Sequence, residues 1–548
     1  MYNVYYTSYL YLLRLMDLSH TGGNGMTINS KVIKLISLCL ALLLLLTACS
    51  KDDTEIKDKN ESEVEESVAE ESKPKEGGSV VLGITQELDS LDPYLAAAAG
   101  TKEVIYNFFD GLVKLTPESK FEPALAESYE FSDDATEYTF KIREGVKFHN
   151  GAELSVNDVV YSLERAAGIS DQSEGALIPQ LAVVESVSAD QDTNQVTVKL
   201  KESDADFITY MTLAIIPADY SEQAEKPIGT GPFVFSEYKT QEHLKMKKNE
   251  DYWRERNAYL DEVTFLIMPS ADAAMIDLEK GNIDIFPYLT MDKADLLKNN
   301  YDFIASDSNM VQIWGLNNQR APFDDPVVRQ ALNMAVDKQM IIEAVTFGEG
   351  NALESGMAPP MDDYYNSDLT SIYNPEEAET MLKEAGYQDL KIEITVPGDY
   401  VIHVQTAEVI AAQLEQIGVT ADVRSVDWGT WLTDVYVGRN YDSTVIALTF
   451  DYVAPATVLR HYYSKSENNF INFESAEFDQ LFEQALVETD HQKRVELYHQ
   501  MQKILQDDSA SVFLQNPGTQ TAVSKKLGGY TTYPQYVQDM YNVYFKAD

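Results

Sequence analysis

From residue 79 onward the chain alternates between two periods of hydrophobic spacing. Tyr138, Phe140 and Ile142 are separated by single polar residues, as are Val196, Val198 and Leu200, which is the period of a strand with one buried face. Val156, Val159, Val160 and Leu163 recur instead at helical spacing, behind a Ser155…Asp158 pair with capping-box separation. Short apolar runs predict further strands over 79–84, 233–238, 244–248, 263–268 and 310–318, and an apolar helical stretch lies around 104–109. A helix is expected from Pro326, where proline loses no intrahelical hydrogen bond, with Val328, Ala331, Leu332 and Ala335 along one face. The last third alternates elements. Helices are expected over 375–385, stopped by Gly386, and 407–417, stopped by Gly418. Strands are expected over 419–426 and 441–450, and amphipathic helices over 478–487 and 491–505. The order predicts a mixed α/β chain with no internal repeat.

The amino end has a different pattern. Lys31 and Lys34 precede an apolar run from Leu35 to Leu46, and Thr47-Ala48 place small residues before Cys49. The sequence LTAC resembles the lipobox of bacterial lipoproteins, which implies lipid transfer to the Cys49 thiol and cleavage after Ala48. An ordinary cleaved signal peptide and a membrane-spanning helix are the competing readings. The run falls short of the ~20 residues a spanning helix needs, and Lys34 interrupts it upstream. Residues 1–25 are long and aromatic for a positive leader, and Gly22-Gly23 permit a ribosome-binding sequence ahead of Met26, so translation is expected to start there. Residues 50–78 are charged and nearly free of large apolar side chains, a composition that makes a tether with a reach of about 30 Å.

Charge and chemistry narrow the function. The segment through residue 48 carries three basic residues (Arg14, Lys31, Lys34) and one acid (Asp17), leaving 39 basic and 88 acidic residues and a net charge of −49. Nucleic acid and anionic lipid are poor partners for such a surface. Roughly 470 residues beyond the tether exceed one compact core, so two or more lobes are expected. No cysteine follows Cys49, which excludes intrachain disulfides and thiolate metal sites from the exported part. Of the six later histidines, none pairs with another at metal-ligand spacing. His491 and His499 fall on a polar helix face, and His149 lies in a turn where a structural hydrogen bond is expected. Serine-hydrolase, zinc-protease, phosphate-loop and dinucleotide motifs are absent, so no catalysis, cofactor or metal is expected.

LDP at Leu91–Pro93, YTFKIREGVKFHNG, SVNDVVYSLERA, IGTGPFVF, NEDYW, RAPFDDPVVRQALNMAVDK and EAETMLKEAGY occur in this order. Together they resemble the family-five extracellular solute-binding proteins, the dipeptide- and oligopeptide-binding components of ABC importers. The resemblance implies a two-lobed, hinged periplasmic-binding-protein-like fold with an extra inserted domain. Lobe I would combine 77–120, 228–318 and 509–548, the inserted domain would span 121–227, and lobe II 319–508. It also implies a peptide ligand, with the ABC permease and its ATPase subunits as partners of a monomer anchored through Cys49. An extracytoplasmic location follows, with a Gram-positive surface favoured over a periplasm by the long tether.

By the same resemblance Asp451 falls on the family's acceptor for a peptide ammonium, although an aspartate there also suits a turn before Pro455. Trp428 falls where the family places an aromatic beside the cleft, and Trp431, Trp314 and Tyr400 are further candidates for lining it. Leu448 replaces the usual tryptophan, Ala454 replaces an acid, and no arginine for a ligand carboxylate stands near VPGDY (396–400). These departures point away from strict dipeptide specificity and toward longer peptides. Nickel-chelate receptors share the scaffold and form the first alternative; a lipid-anchored surface hydrolase is the second.

Overall fold

A computed structural model describes residues 73–170, 175–289, 293–450 and 452–547. Cys49, the leader before it and most of the tether lie outside these residues, and so does Asp451. A sheet of 12 strands runs through the described chain. At one end Phe233–Lys239, His243–Lys248, Glu262–Ile267 and Ser79–Ile84 lie side by side, the last two parallel. At the other end Thr420–Val426, Lys391–Pro397, Ser443–Thr449 and Met310–Leu316 follow in that order. The 14-residue strand Ser511–Ser524 joins them. Its first residues pair with Met310–Leu316 (Val512 opposite Trp314) and its last with Tyr301–Asp307 (Ser524 opposite Tyr301).

Each end of the sheet organises a lobe. In the first, Val80 and Leu82 alternate into a core with Leu244, Val263 and Phe265. That core is continuous with Tyr138, Phe140, Val196 and Val198. These four come from a separate antiparallel sheet ordered Ala126–Phe131, Glu137–Ile142, Gln195–Leu200, Val184–Asp190. Helix Val156–Ala167 packs on this sheet, started by the expected capping box, with Ser155 N–H donating to Asp158 Oδ2 at 2.9 Å. Gly168 ends it at φ 68°.

The second lobe buries both faces of its sheet, which is why Val445–Leu448 within STVIALT reads as an unbroken apolar run. Val445 packs with Trp314, Val328, Ile394 and Ile410 on one face, while Ile446 and Leu448 pack with Trp431, Phe470 and Tyr498 on the other. Each large apolar side chain fully buried this way stabilises by ~1.5–3 kcal/mol.

Two element boundaries differ from expectation for identifiable reasons. The helix expected around 104–109 is Ala99–Ile105. It stops because Asn107 Nδ2 donates to the Val104 carbonyl at 3.1 Å and turns the chain, which leaves Phe108 and Phe109 outside it. The helix expected from 407 begins at Val401. Its first inward residues are polar: His403 and Thr406 are buried and bonded to Gln312, so hydrophobic spacing gives no sign of that turn. The lobes also touch outside the sheet. Ala205 N–H donates to Leu486 O at 3.0 Å, and Arg494 of helix His491–Asp507 donates to Ala205 O at 2.8 Å.

Candidate functional site

A cavity of about 620 Å³ opens where the turn after helix Ala99–Ile105 meets residues 177–180, 212–214 and 535–537 and the second-lobe residue Tyr452. Its floor is the Asp110-Gly111 turn. Asp110 is buried and accepts from Trp253 Nε1 at 2.9 Å, Thr230 Oγ1 at 3.2 Å and Tyr252 OH at 3.3 Å, while Lys114 Nζ lies 3.5 Å away. A charge so well partnered is held in place rather than offered to a ligand. Gly111 is required, because a Cβ there would meet Met211 O at 2.6 Å.

Five of the seven motifs that carry the resemblance come together around this floor, while the helices of the other two, Pro326–Met334 and Pro375–Glu384, pack in the second lobe. Cβ atoms at Gly229 and Gly231 would lie 2.2 and 2.5 Å from backbone atoms of Phe108, so IGTGPF works by letting two chain segments touch. His149 bridges the same turn, accepting from Gly229 N–H on Nδ1 at 3.3 Å and donating from Nε2 to Gly231 O at 3.1 Å. Asn249 of NEDYW donates to Gly231 O at 2.9 Å. Asp92 of LDP takes two bonds from Arg165 of SLERA, at 2.6 and 3.1 Å. Tyr94 then donates to Ala214 O at 2.6 Å on the cavity wall.

Aromatic and aliphatic side chains dominate the lining, among them Tyr94, Phe109, Leu115, Leu213 and Tyr452. Tyr452 stands edge-on to Tyr210 at 5.1 Å, and Val453 packs with Leu115 and Tyr533, so this segment binds the second lobe to the cavity's rim. Gln535 also lines the cavity; it is 5% exposed, and neither atom of its side-chain amide has a hydrogen-bond partner. Leaving such groups unpaired costs about 1–3 kcal/mol each.

The expected site residues separate into groups. Tyr400, Trp428 and Trp431 form one aromatic ladder. Trp428 stacks on Trp431 with centroids 5.2 Å apart and planes 6° apart, and Tyr400 meets Trp428 edge-on at 5.3 Å. Trp431 is buried and donates from Nε1 to Thr444 Oγ1 at 3.0 Å, whereas Tyr400 and Trp428 are 44% and 36% exposed. The main chain that carries the outer ring is held by Asp399, whose Oδ2 accepts from the Trp428 backbone N–H at 2.7 Å. None of the three lines the cavity. Trp314 is apart from them, wholly buried in the second-lobe core. Asp451 lies outside the described residues, between the buried Phe450 and the cavity residue Tyr452. Sequence reasoning missed Gln535 and Tyr452, and no local pattern marks either. Among the described residues no group of three or more His, Cys, Asp or Glu is arranged to hold a metal. No described helix is long and apolar enough to cross a membrane.

The family described as "Bacterial extracellular solute-binding proteins, family 5 Middle" matches residues 120–470. The oligopeptide-binding protein AppA of Bacillus subtilis is 28% identical, covering 93% of this chain and 97% of its own length. Heme-binding protein A of Haemophilus influenzae is 30% identical, covering 77% of this chain and 84% of its own. Among solved structures, the periplasmic binding protein DppA of Helicobacter pylori in complex with peptide STSA superposes with a TM-score of 0.70 at 26% identity, covering 86% of this chain and 99% of its own.

Proposed function

Because the chain belongs to the bacterial extracellular solute-binding proteins of family 5, we propose that it captures peptides in an interlobe cleft that includes this cavity and delivers them to an ABC permease. The observation that carries this reading is the cavity itself. Its volume of about 620 Å³ falls among ordinary ligand sites of ~300–1,000 Å³, and the segment that follows strand Ser443–Thr449 of the second lobe reaches its rim at Tyr452. The names of the Bacillus oligopeptide-binding protein and the peptide-bound Helicobacter protein support a peptide as the guest. Family members bind substrates rather than transform them, so the work is conformational: a ligand that prefers the closed form shifts the open–closed balance by its differential affinity.

The finer assignments belong to the same proposal. Lobe I combines 77–120, 228–318 and 509–548, lobe II spans 319–508, and 121–227 is the inserted domain. The protein acts as an extracytoplasmic monomer held to the membrane by a lipid on Cys49, standing off on its acidic tether at a Gram-positive surface. Longer peptides suit it better than dipeptides, since no arginine stands near 396–400 for a fixed carboxylate. Asp451 receives the peptide ammonium, and the exposed ladder of Tyr400 and Trp428 lines the second lobe's side of the open cleft.

Asp451→Ala is expected to raise Kd for peptides roughly 10- to 100-fold, the loss of one charge-assisted contact, with melting temperature unchanged. Calorimetric titration reads this, and an unchanged Kd removes Asp451 from the site. The 30% identity to a heme-binding protein favours one second reading, a non-peptide guest such as haem or a nickel chelate. Mass spectrometry of the ligand that co-purifies decides between the two. A peptide turnover assay tests the hydrolase alternative.

A further inference from the structure

Gln535 is a polar group that the folded chain itself leaves unused. It lies in the segment between Tyr533, whose hydroxyl donates to Asp539 at 3.1 Å, and Val537, whose N–H donates to the Gln535 carbonyl at 2.8 Å. The main chain thus turns at Gln535, beside a side-chain bond that spans the segment. Its side chain is 5% exposed and lines the 620 Å³ cavity, yet both its amide nitrogen and its amide oxygen lack a partner. Neighbouring polar groups on the wall are otherwise engaged: Tyr94 OH bonds Ala214 O, and Asp110 is held by four donors including Lys114. Buried polar atoms are paired in native proteins with few exceptions, and an exception lining a ligand cavity marks where a ligand completes the pairing.

The chemistry of the pair is specific. A primary amide offers one donor and one acceptor on the same edge. A residue in an extended peptide presents its own N–H and C=O along one edge, as in the doubly bonded pairs of antiparallel strands. A haem carboxylate offers acceptors only and has no such donor–acceptor pair. The cavity that Gln535 lines is mostly aliphatic and aromatic, with Ile105, Tyr106, Leu115 and Val537 among its residues; of its charged members Lys114 and Asp110 pair with each other at 3.5 Å, and Lys102 is the third.

Resting on the receptor reading above, we propose that Gln535 is a specificity-determining residue that pairs bidentately with the main chain of one extended ligand residue, and that the cavity beside it takes that residue's uncharged, apolar side chain. The site then favours peptides over guests that offer only acceptors and reads side-chain polarity at one position.

The test uses the mature chain and Ala-based pentapeptides with a leucine moved through each position, plus the same peptides N-methylated one amide at a time, titrated by calorimetry. Wild type binds best with leucine at one position, and N-methylation of that residue weakens binding. Gln535→Met raises Kd about tenfold or more and makes the N-methylation harmless. The ligand-free melting temperature of Gln535→Met is unchanged or higher, because two unpaired polar atoms leave the interior. Gln535→Leu behaves alike. A variant that binds as tightly as wild type, or that still feels the N-methyl group, overturns the proposal. So does a lower melting temperature with proportionate loss of binding, which marks a structural role. Wild type that binds none of the peptides overturns the receptor reading and this inference together, so the two failures are separable.

Discussion

His403 is buried, and burial pushes its imidazole down to about 4, so it is neutral at pH 7 and accepts from Gln312 Nε2 through Nδ1 at 3.0 Å. Gln312 in turn accepts from Gln515 at 2.8 Å and Thr406 at 3.3 Å, a closed polar set inside the second lobe. The unfolded chain binds His403's proton near 6.5 and the folded chain only near 4. The stability it contributes is therefore complete above 6.5 and is lost as pH falls toward 4, by ~2 kcal/mol at pH 5. Glu103 and Asp204 act in the opposite sense. Burial raises both to about 7, so their contribution is fully present at acid pH and is lost as pH rises through 7. His403→Asn keeps an acceptor where Nδ1 stands and removes the titration. Its melting temperature relative to wild type is expected to climb between pH 7 and pH 5 in scanning calorimetry, and a constant difference would rule out a neutral buried imidazole. At this scale His149 was legible as a structural hydrogen-bonder, because a lone histidine in a turn has few other uses. Trp314 shows the limit, since the sequence of a tryptophan buried in a sheet is the same as that of one facing a cleft.

At the scale of elements, IGTGPF shows what a motif can and cannot disclose. Its glycines mark a turn in any sequence, but the reason for them is the Phe108 backbone lying against Gly229 and Gly231, more than a hundred residues earlier in the chain. Gly229→Ala forces a Cβ to 2.2 Å from Phe108 O and 2.5 Å from Phe109 Cδ1. The expected loss is about 1–3 kcal/mol in urea unfolding. Because Phe109 also lines the cavity, peptide affinity should fall with it; wild-type stability would mean the turn has slack. Strands and helices with apolar periodicity were readable for the same reason this turn was: they satisfy local rules. The first turn of Val401–Glu415 was not, because its buried residues are polar and paired across the lobe. The cavity was not either, since its walls come from segments that share no local signal.

At the scale of the molecule, a buried ion pair joins the polar contacts that tie the segment after Gln195–Leu200 to the second lobe. Asp206 is buried, receives Tyr498 OH at 3.3 Å and lies 3.6 Å from Arg494, which also donates to Tyr364 OH at 2.6 Å. Arg494→Met strands a buried carboxyl and is expected to cost ~3–5 kcal/mol, whereas adding Asp206→Asn should recover much of that. A denaturation double-mutant cycle measures the coupling, and additive losses would show the pair to be independent. Nothing near either residue in the sequence announces the other across 288 positions. The strand Ser511–Ser524 has a different consequence. It is the last of the large sheet's strands in chain order, yet it sits at the sheet's middle. A polypeptide emerging amino end first thus forms two half-sheets with a vacant slot between them. Completion waits for a segment that arrives after every other strand of the sheet, so the two half-sheets are not joined through Ser511–Ser524 until nearly the whole chain has emerged.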